Sequence, residues 1–154
     1  MNFLEQIAAE WYEYNGHFVR ANIHFGKLNS GGWKGEIDVI AFDPKTKTLI
    51  HIETSTDAIS WKERKTNFLR KFRDADTQYH DLFRLDYDHL QRIAIVGFGK
   101  SKKFIDFGDN IQVKTIPEFF KEIRADISTH NPLKNAIPER YPLLRAIQFA
   151  TFWK

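Results

Sequence analysis

Residues 35–55, GEIDVIAFDPKTKTLIHIETS, constrain the fold of this chain more than any other segment. Apolar and polar side chains alternate on both sides of Asp43-Pro44-Lys45-Thr46, which favours a type I turn. Pro presets φ at the second turn position and Asp is preferred at the first. Because alternation with period two fixes the register of strand pairing, the segment predicts a β-hairpin in which Asp38 lies opposite Glu53.

The predicted hairpin has one apolar face and one acidic face. Like charges directly opposed across two strands are destabilising, and no Lys or Arg falls on the acidic face. The pair Asp38 and Glu53 must therefore protonate, stay exposed to solvent or bind a cation. Two converging carboxylates suit a hard divalent ion such as Mg²⁺, and the alternative is a solvated strand face without a ligand. The acidic face carries Glu36, Asp38, His51, Glu53 and Ser55.

Composition narrows the class of protein. The chain has 154 residues, 42% of them hydrophobic and 15% aromatic, which indicates one globular domain. It has no cysteine, so a disulfide framework, a thiolate zinc site and a cysteine nucleophile are excluded. We find no secretion signal and no apolar run of about 20 residues, and therefore expect a cytoplasmic protein without a membrane contact. The net charge of +3 permits a nucleic-acid partner.

Periodicity along the chain predicts the element order α-β-β-β-α-β-β-α-α. An antiparallel hairpin followed by strands that alternate with helices indicates an α/β protein with a mixed sheet flanked by helices. The expected helices are residues 2–15, a long helix from Asp57 or Ser60 to Phe83, residues 116–127 and residues 138–151. The expected strands are residues 17–25, the hairpin strands 36–42 and 49–55, residues 92–98 and residues 111–115. A glycine-rich loop is expected at 26–35, before the hairpin.

This order of elements resembles the PD-(D/E)XK nucleases, which have the restriction-endonuclease-like fold with a shared α-β-β-β-α-β core. In that family the second strand brings an Asp, the third a Glu-x-Lys, and the first helix often a Glu. The resemblance assigns these roles to Asp38, Glu53 and Glu5. It covers about residues 3–98, and the C-terminal extension, about residues 110–154, resembles no family.

Two shorter stretches carry a similar likeness. The run from Glu5 to Gly16 is similar to archaeal Holliday-junction resolvases. The tripeptide Glu36-Ile37-Asp38 is similar to small bacterial endonuclease-like proteins.

The resemblance implies metal-dependent hydrolysis of phosphodiester bonds in DNA. Asp38, Glu53 and the backbone carbonyl of Thr54 would hold Mg²⁺ or Mn²⁺, and Glu5 or Glu36 would complete the site or hold a second ion through water. Two alternatives stay open: a catalytically inactive nucleic-acid-binding module of the same fold, and a protein-interaction domain.

The chain departs from the family pattern at Ser55, which stands where the family has its catalytic Lys. A serine hydroxyl brings no positive charge to the phosphate. Either a basic residue reaches in from the following helix, with Lys62 and Lys65 as the nearest candidates, or catalysis has been lost.

Several other residues are candidates for binding. Arg64, Asn67 and Lys71 fall close together at helical spacing and would contact nucleic acid, as would Lys34 in a glycine-rich loop. His51, beside the acid pair, is interpreted as a general base, a metal ligand or a neutral edge residue. We expect the terminal aromatic residues to pack in the core or at a contact between two copies of the chain. They are Phe149, Phe152 and Trp153.

Overall fold

The computed structural model describes residues 1–97 and 106–153, and five strands and five helices lie within these ranges. The α-β-β-β-α-β order is confirmed, with an additional short helix before the fourth strand. Phe98, the last residue of a predicted strand, lies outside the described residues. The elements are α1 (Phe3–Tyr14), β1 (Phe18–Lys27), β2 (Trp33–Asp43), β3 (Thr48–Ser55), α2 (Trp61–Asp76), α3 (Tyr79–Phe83), β4 (His89–Val96), β5 (Ile111–Thr115), α4 (Ile116–Ile127) and α5 (Pro142–Phe152).

The sheet is mixed and its strands follow the order of the sequence, β1-β2-β3-β4-β5. The first three strands are antiparallel, whereas β3 pairs with β4 and β4 with β5 in parallel. The predicted hairpin register is confirmed, since Ile40 pairs with His51 and Asp43 with Thr48. The loop predicted at 26–35 is shorter, because Lys27 still pairs with Trp33 and extends the first hairpin.

Local sequence explains where the helices begin. Three of them start with a capping box, in which a side chain at the N-cap and an acid three residues later exchange hydrogen bonds with the backbone. The long helix predicted to reach Phe83 is instead two helices, separated at Thr77 and Gln78. This break turns Tyr79 into the core, where its hydroxyl meets His51. Within the described ranges, no helix has the length and apolar character needed to cross a membrane.

Helices cover both faces of the sheet. On one face α1, α4 and α5 pack against residues such as Val39 and Ile52. On the other face α2 packs through Phe68 and Phe72, and α3 through Tyr79. The acidic face of the hairpin therefore lies beneath α2 and α3, and the alternative of a solvated strand face is wrong at its centre.

The last helix is tied to the first by a buried carboxylate. Glu10 of α1 accepts hydrogen bonds from the backbone N–H groups of Leu143 at 3.0 Å and Leu144 at 2.9 Å. N–H groups in the first turn of a helix have no acceptor within that helix, so Glu10 of α1 caps α5 by accepting from two of them. This contact holds the C-terminal extension on the same core as the predicted nuclease-like part.

Candidate active site

Two acids from neighbouring strands meet beneath α2. The β2–β3 pairing runs to Val39 and Ile52, and one position further along, the N–H of Asp38 donates to Oε1 of Glu53 at 3.3 Å. Asp38 is 5% exposed and Glu53 is fully buried. The structure thus brings together the two carboxylates that the hairpin register predicted to be neighbours.

Lys71 of α2 supplies the positive charge between them. Its Nζ lies 3.2 Å from Oδ1 of Asp38 and also contacts Oε2 of Glu53. The structure places Lys71 beside the acids, rather than Lys62 or Lys65, which are exposed on the same helix. Lys71 follows Phe68 by three residues and precedes Phe72, so it lies on the side of α2 that faces the sheet. A basic residue does reach in from the following helix, but it is Lys71, for which the sequence predicted nucleic-acid contact.

A buried hydrogen-bonded chain supports Glu53 from behind. Oε1 of Glu53 lies 2.7 Å from Nε2 of His51, and Nδ1 of His51 lies 2.6 Å from the hydroxyl of Tyr79. Because a carboxylate only accepts, Nε2 of His51 carries the proton in this arrangement. His51 is therefore a fully buried partner that fixes the orientation of Glu53, and not the edge residue considered from the sequence.

The charges of the cluster shift one another's pKa values. Burial, assisted by the charge of Glu53, raises the pKa of Asp38 to about 7, although Lys71 and the Thr54 N–H oppose the shift. Burial alone would also raise the pKa of Glu53, but the His51 hydrogen bond and the Lys71 ammonium hold it below its ordinary value. The two carboxylates in turn outweigh burial and raise the pKa of Lys71. Near neutral pH the site therefore holds one firm carboxylate, one ammonium and one acid close to its titration point.

Thr54 and Ser55 follow Glu53 on β3 and act differently. Thr54 donates to Oδ2 of Asp38 through its N–H at 2.8 Å and its hydroxyl at 3.3 Å, so it positions this acid. The Ser55 hydroxyl instead accepts from the N–H of Asp57 at 3.2 Å. Ser55 thus begins the loop before α2 and brings no charge to the acids.

The two remaining predicted acids lie at the edge of this cluster. Asn22 of β1 donates its side-chain amide to Oε2 of Glu5 and to Oε1 of Glu36, each at 3.0 Å. Glu36 also lies 3.4 Å from the His24 ring. The charge of Glu5 contributes to the raised pKa of Asp38, so it lies within electrostatic range of the pair. Sequence analysis missed Asn22; its backbone is left-handed, with φ of 51°, a conformation that Asn adopts more readily than most residues.

The other residues predicted to bind nucleic acid lie on two elements, α2 and β2. Arg64 is buried: its guanidinium donates to the carbonyl of Asp57 and lies 4.5 Å from the Trp61 ring. Asn67 is exposed one turn further along α2. Lys34 is exposed on β2 and lies 4.0 Å from Asp74, which follows Lys71 by one turn of α2.

Among the described residues, no group of three or more His, Asp or Glu side chains is arranged to hold a metal ion. What the cluster offers is two carboxylate oxygens that converge on one cation, the Lys71 ammonium. Oxygen donors of this kind are those that Mg²⁺ prefers, and Mg²⁺ commonly takes only one or two protein carboxylates.

Comparison with known proteins supports the fold and gives no information on the chemistry of the site. No protein-family model matches the chain, and no curated protein matches it. A crystal structure of a protein of unknown function, AF1548, is similar, with a TM-score of 0.55 and 15% sequence identity. The match covers 95% of this chain and 78% of that one. At this identity the likeness shows a shared α/β fold, and the resemblance to nucleases stays a prediction.

Proposed function

We propose that this protein is a metal-dependent endonuclease-like domain that hydrolyses phosphodiester bonds in DNA. The observation that carries the proposal is the convergence of Asp38, Glu53 and Lys71. Two strand acids and a lysine are the groups that the PD-(D/E)XK resemblance requires, and here the lysine comes from α2 instead of β3.

The donor set fits the proposed metal. Oδ1 of Asp38 and Oε2 of Glu53 already face one positive charge, and both are hard oxygen ligands. Asp38 and Glu53 would hold Mg²⁺ or Mn²⁺, and when bound the ion would polarise the phosphate and lower the pKa of a bound water. Glu5 and Glu36 are proposed to attract the ion without direct contact, because Asn22 holds both of them.

The protein's own residues would prepare this site. Thr54 fixes Asp38 through two hydrogen bonds, and His51 fixes Glu53 through one. Both acids are therefore oriented before a ligand arrives, which lowers the cost of assembling the site. Lys71 would offset negative charge on the phosphate and position the attacking water, the role that the resemblance gives to the family's Lys.

A DNA partner is consistent with the charge on α2. Exposed cations lie on this helix, where they would contact phosphates without reading the bases. They are Lys62, Lys65 and Arg70. We also propose that the protein acts in the cytoplasm. That two copies of the chain form a homodimer stays a prediction.

The test is cleavage of plasmid and branched DNA in Mg²⁺ or Mn²⁺ by the wild type, Asp38→Asn and Glu53→Gln. We expect the wild type to nick DNA and both variants to fall to background, while EDTA abolishes cleavage. Lys121→Ala, an exposed change on the opposite helical layer, is the matched control and should cleave normally. Equal nicking by all of these proteins would refute the assignment.

One observation favours a second candidate, a nucleic-acid-binding module without catalysis. Lys71 already neutralises the acid pair, so the cluster satisfies its own charge without a metal. Such a module would bind DNA with strong salt dependence, and neither Mg²⁺ nor Mn²⁺ would produce a cut.

A further inference from the structure

A small pocket lies beside the acid pair, on the side of α2 that leads towards its N-terminus. Its volume is about 120 Å³. Thr54 and Lys71, which belong to the acid site, also line this pocket, so the two are contiguous. The other polar groups that line it are Ser55, Asp57, Arg64, Asn67 and Arg70.

Arg64 is the unusual member of this lining. It is only 5% exposed, yet within residues 1–97 and 106–153 its guanidinium has no carboxylate partner. It donates to the carbonyl of Asp57 and stacks on Trp61, and its Nε is buried without a hydrogen-bond acceptor in the part of the chain that the structure describes. A buried cation without an anion is costly, and a buried unsatisfied N–H adds to the cost, so the site is incomplete as it stands.

The remaining charges also favour an anion. The pocket lining holds three cations and one carboxylate, that of exposed Asp57. Lys71 is already paired with Asp38 and Glu53, so Arg64 and Arg70 are the cations available to an anion. Arg70 is loosely held, because its side chain is 60% exposed and lies 3.9 Å from Asp74. It is therefore free to turn towards a ligand at little cost.

From this geometry we infer that the pocket binds one phosphoryl group of a nucleic-acid strand, held by Arg64 and Arg70 next to the acid site. The volume of about 120 Å³ is well below the ~300 Å³ at which pockets begin to hold whole small molecules. A compact tetrahedral anion fits within this volume. Planar guanidinium groups bind such oxygens through paired N–H donors. The inference deepens the proposed function and rests on it for the choice of nucleic acid as the ligand.

Binding in EDTA tests the pocket separately from cleavage. Inorganic phosphate is titrated by calorimetry, and oligonucleotides with a 5′-phosphate or a 5′-hydroxyl are compared by fluorescence anisotropy. Arg70→Gln and Arg64→Lys should each weaken phosphate binding about tenfold, the loss expected for a charge-assisted hydrogen bond. Arg73→Gln, an exposed change on the same helix outside the pocket, should stay within about twofold of wild type. Arg70→Gln is the informative variant if Arg64→Lys fails to fold.

The outcomes distinguish a phosphoryl group at a strand end from one within the strand. They also distinguish a failure of the phosphate-binding inference from a failure of the proposed nuclease function. A preference for the 5′-phosphate that Arg70→Gln removes assigns the pocket to a strand end. Equal binding of both oligonucleotides, weakened equally by Arg70→Gln, assigns it to an internal phosphodiester. Wild-type affinity for phosphate in both pocket variants, or no saturable binding by the wild type, overturns the inference. Asp38→Asn should lose cleavage but keep phosphate binding, so the failure of one proposal is distinguishable from the failure of the other.

Discussion

The Lys71 ammonium lies 3.2 Å from Oδ1 of Asp38, although 33 positions separate the two residues in the sequence. This ion pair bridges helix α2 and strand β2, and its lysine also contacts Glu53 of β3. Three elements therefore contribute one charged group each to the candidate site, and its electrostatic balance exists only in the folded protein.

Replacing Lys71 by Ala should lower DNA cleavage on the order of a hundredfold, because the group proposed to stabilise charge on the phosphate is lost. Lys62→Ala and Lys65→Ala each remove one exposed phosphate contact on the same helix and should lower cleavage by no more than about fivefold. Initial rates of plasmid nicking in Mn²⁺ distinguish the three variants. Full activity in Lys71→Ala would exclude Lys71 from catalysis.

The double change Ser55→Lys with Lys71→Ala should recover part of the lost activity. It moves the lysine to the position that the PD-(D/E)XK resemblance gives it, and both positions line the same pocket. The comparison is with Lys71→Ala alone, assayed under the same conditions. A double variant as inactive as the single one would show that a lysine at position 55 does not substitute for the one on α2.

Asp38 should make the protein less stable as the pH rises. Its pKa is raised from 3.8 to about 7, mainly by burial, so the native state keeps a proton that the unfolded chain releases. The stabilising contribution is complete below about pH 4 and is lost as the pH rises through about 7, with a slope of up to about 1.4 kcal/mol per pH unit. The lowered pKa of Glu53 affects the free energy of unfolding only near and below its ordinary value of 4.5, which is outside most of the range between pH 4 and 7.

Urea denaturation of the wild type and Asp38→Asn across this pH window measures the effect. The free energy of unfolding should fall more steeply with pH in the wild type, because the side-chain amide of the variant does not titrate. Parallel pH profiles for the two proteins would contradict the raised pKa.

Tyr79→Phe should reduce the free energy of unfolding by about 1–3 kcal/mol, because Nδ1 of His51 would lose its buried partner. Tyr141→Phe provides the control, since the Tyr141 hydroxyl is buried without a hydrogen-bond partner among the described residues. Its removal should change the free energy of unfolding by less than about 0.5 kcal/mol, or stabilise the protein. Chemical denaturation at constant pH compares the two, and equal losses would indicate that the His51 contact contributes nothing.

Glu10→Ala should destabilise the docking of α5 by about 1–3 kcal/mol, because the N–H groups of Leu143 and Leu144 would lose their acceptor. Faster amide hydrogen exchange in α5 is the expected signature. Glu13→Ala, an exposed change on the same helix, should leave this exchange unaltered. Unchanged protection of α5 in Glu10→Ala would show that apolar packing alone holds the helix.

The sequence was most informative where one physical rule dominated. Period-two alternation around the turn at Asp43 predicted the hairpin register, and hence the proximity of Asp38 and Glu53. The helix predicted at residues 116–127, with Pro117 in its first turn, likewise matches the bounds of α4. In each case neighbours along the chain carried the whole signal.

Sequence reasoning was weaker where contacts depend on how helices pack on the sheet. The aromatic stripe of α2 is visible in the sequence, and helical spacing places Arg64 and Lys71 on the same side of the helix as Phe68. From this spacing the two cations were predicted to form a nucleic-acid-binding face, whereas in the structure Lys71 contacts the acids on the sheet. Polar residues on the sheet-facing side of a helix are expected to find buried partners, which was the available clue. The roles of Asn22 and Tyr79 have no comparable pattern, because their partners lie on other elements.

A lysine on β3 would remain next to its acids for as long as the sheet itself survived. Lys71 instead belongs to a helix, so any movement that lifts α2 from the sheet removes the counter-charge and exposes two carboxylates to each other. Local opening of α2 would thus convert a neutralised site into a strongly anionic one. The affinity of the site for a cation would then depend on how often this one helix opens.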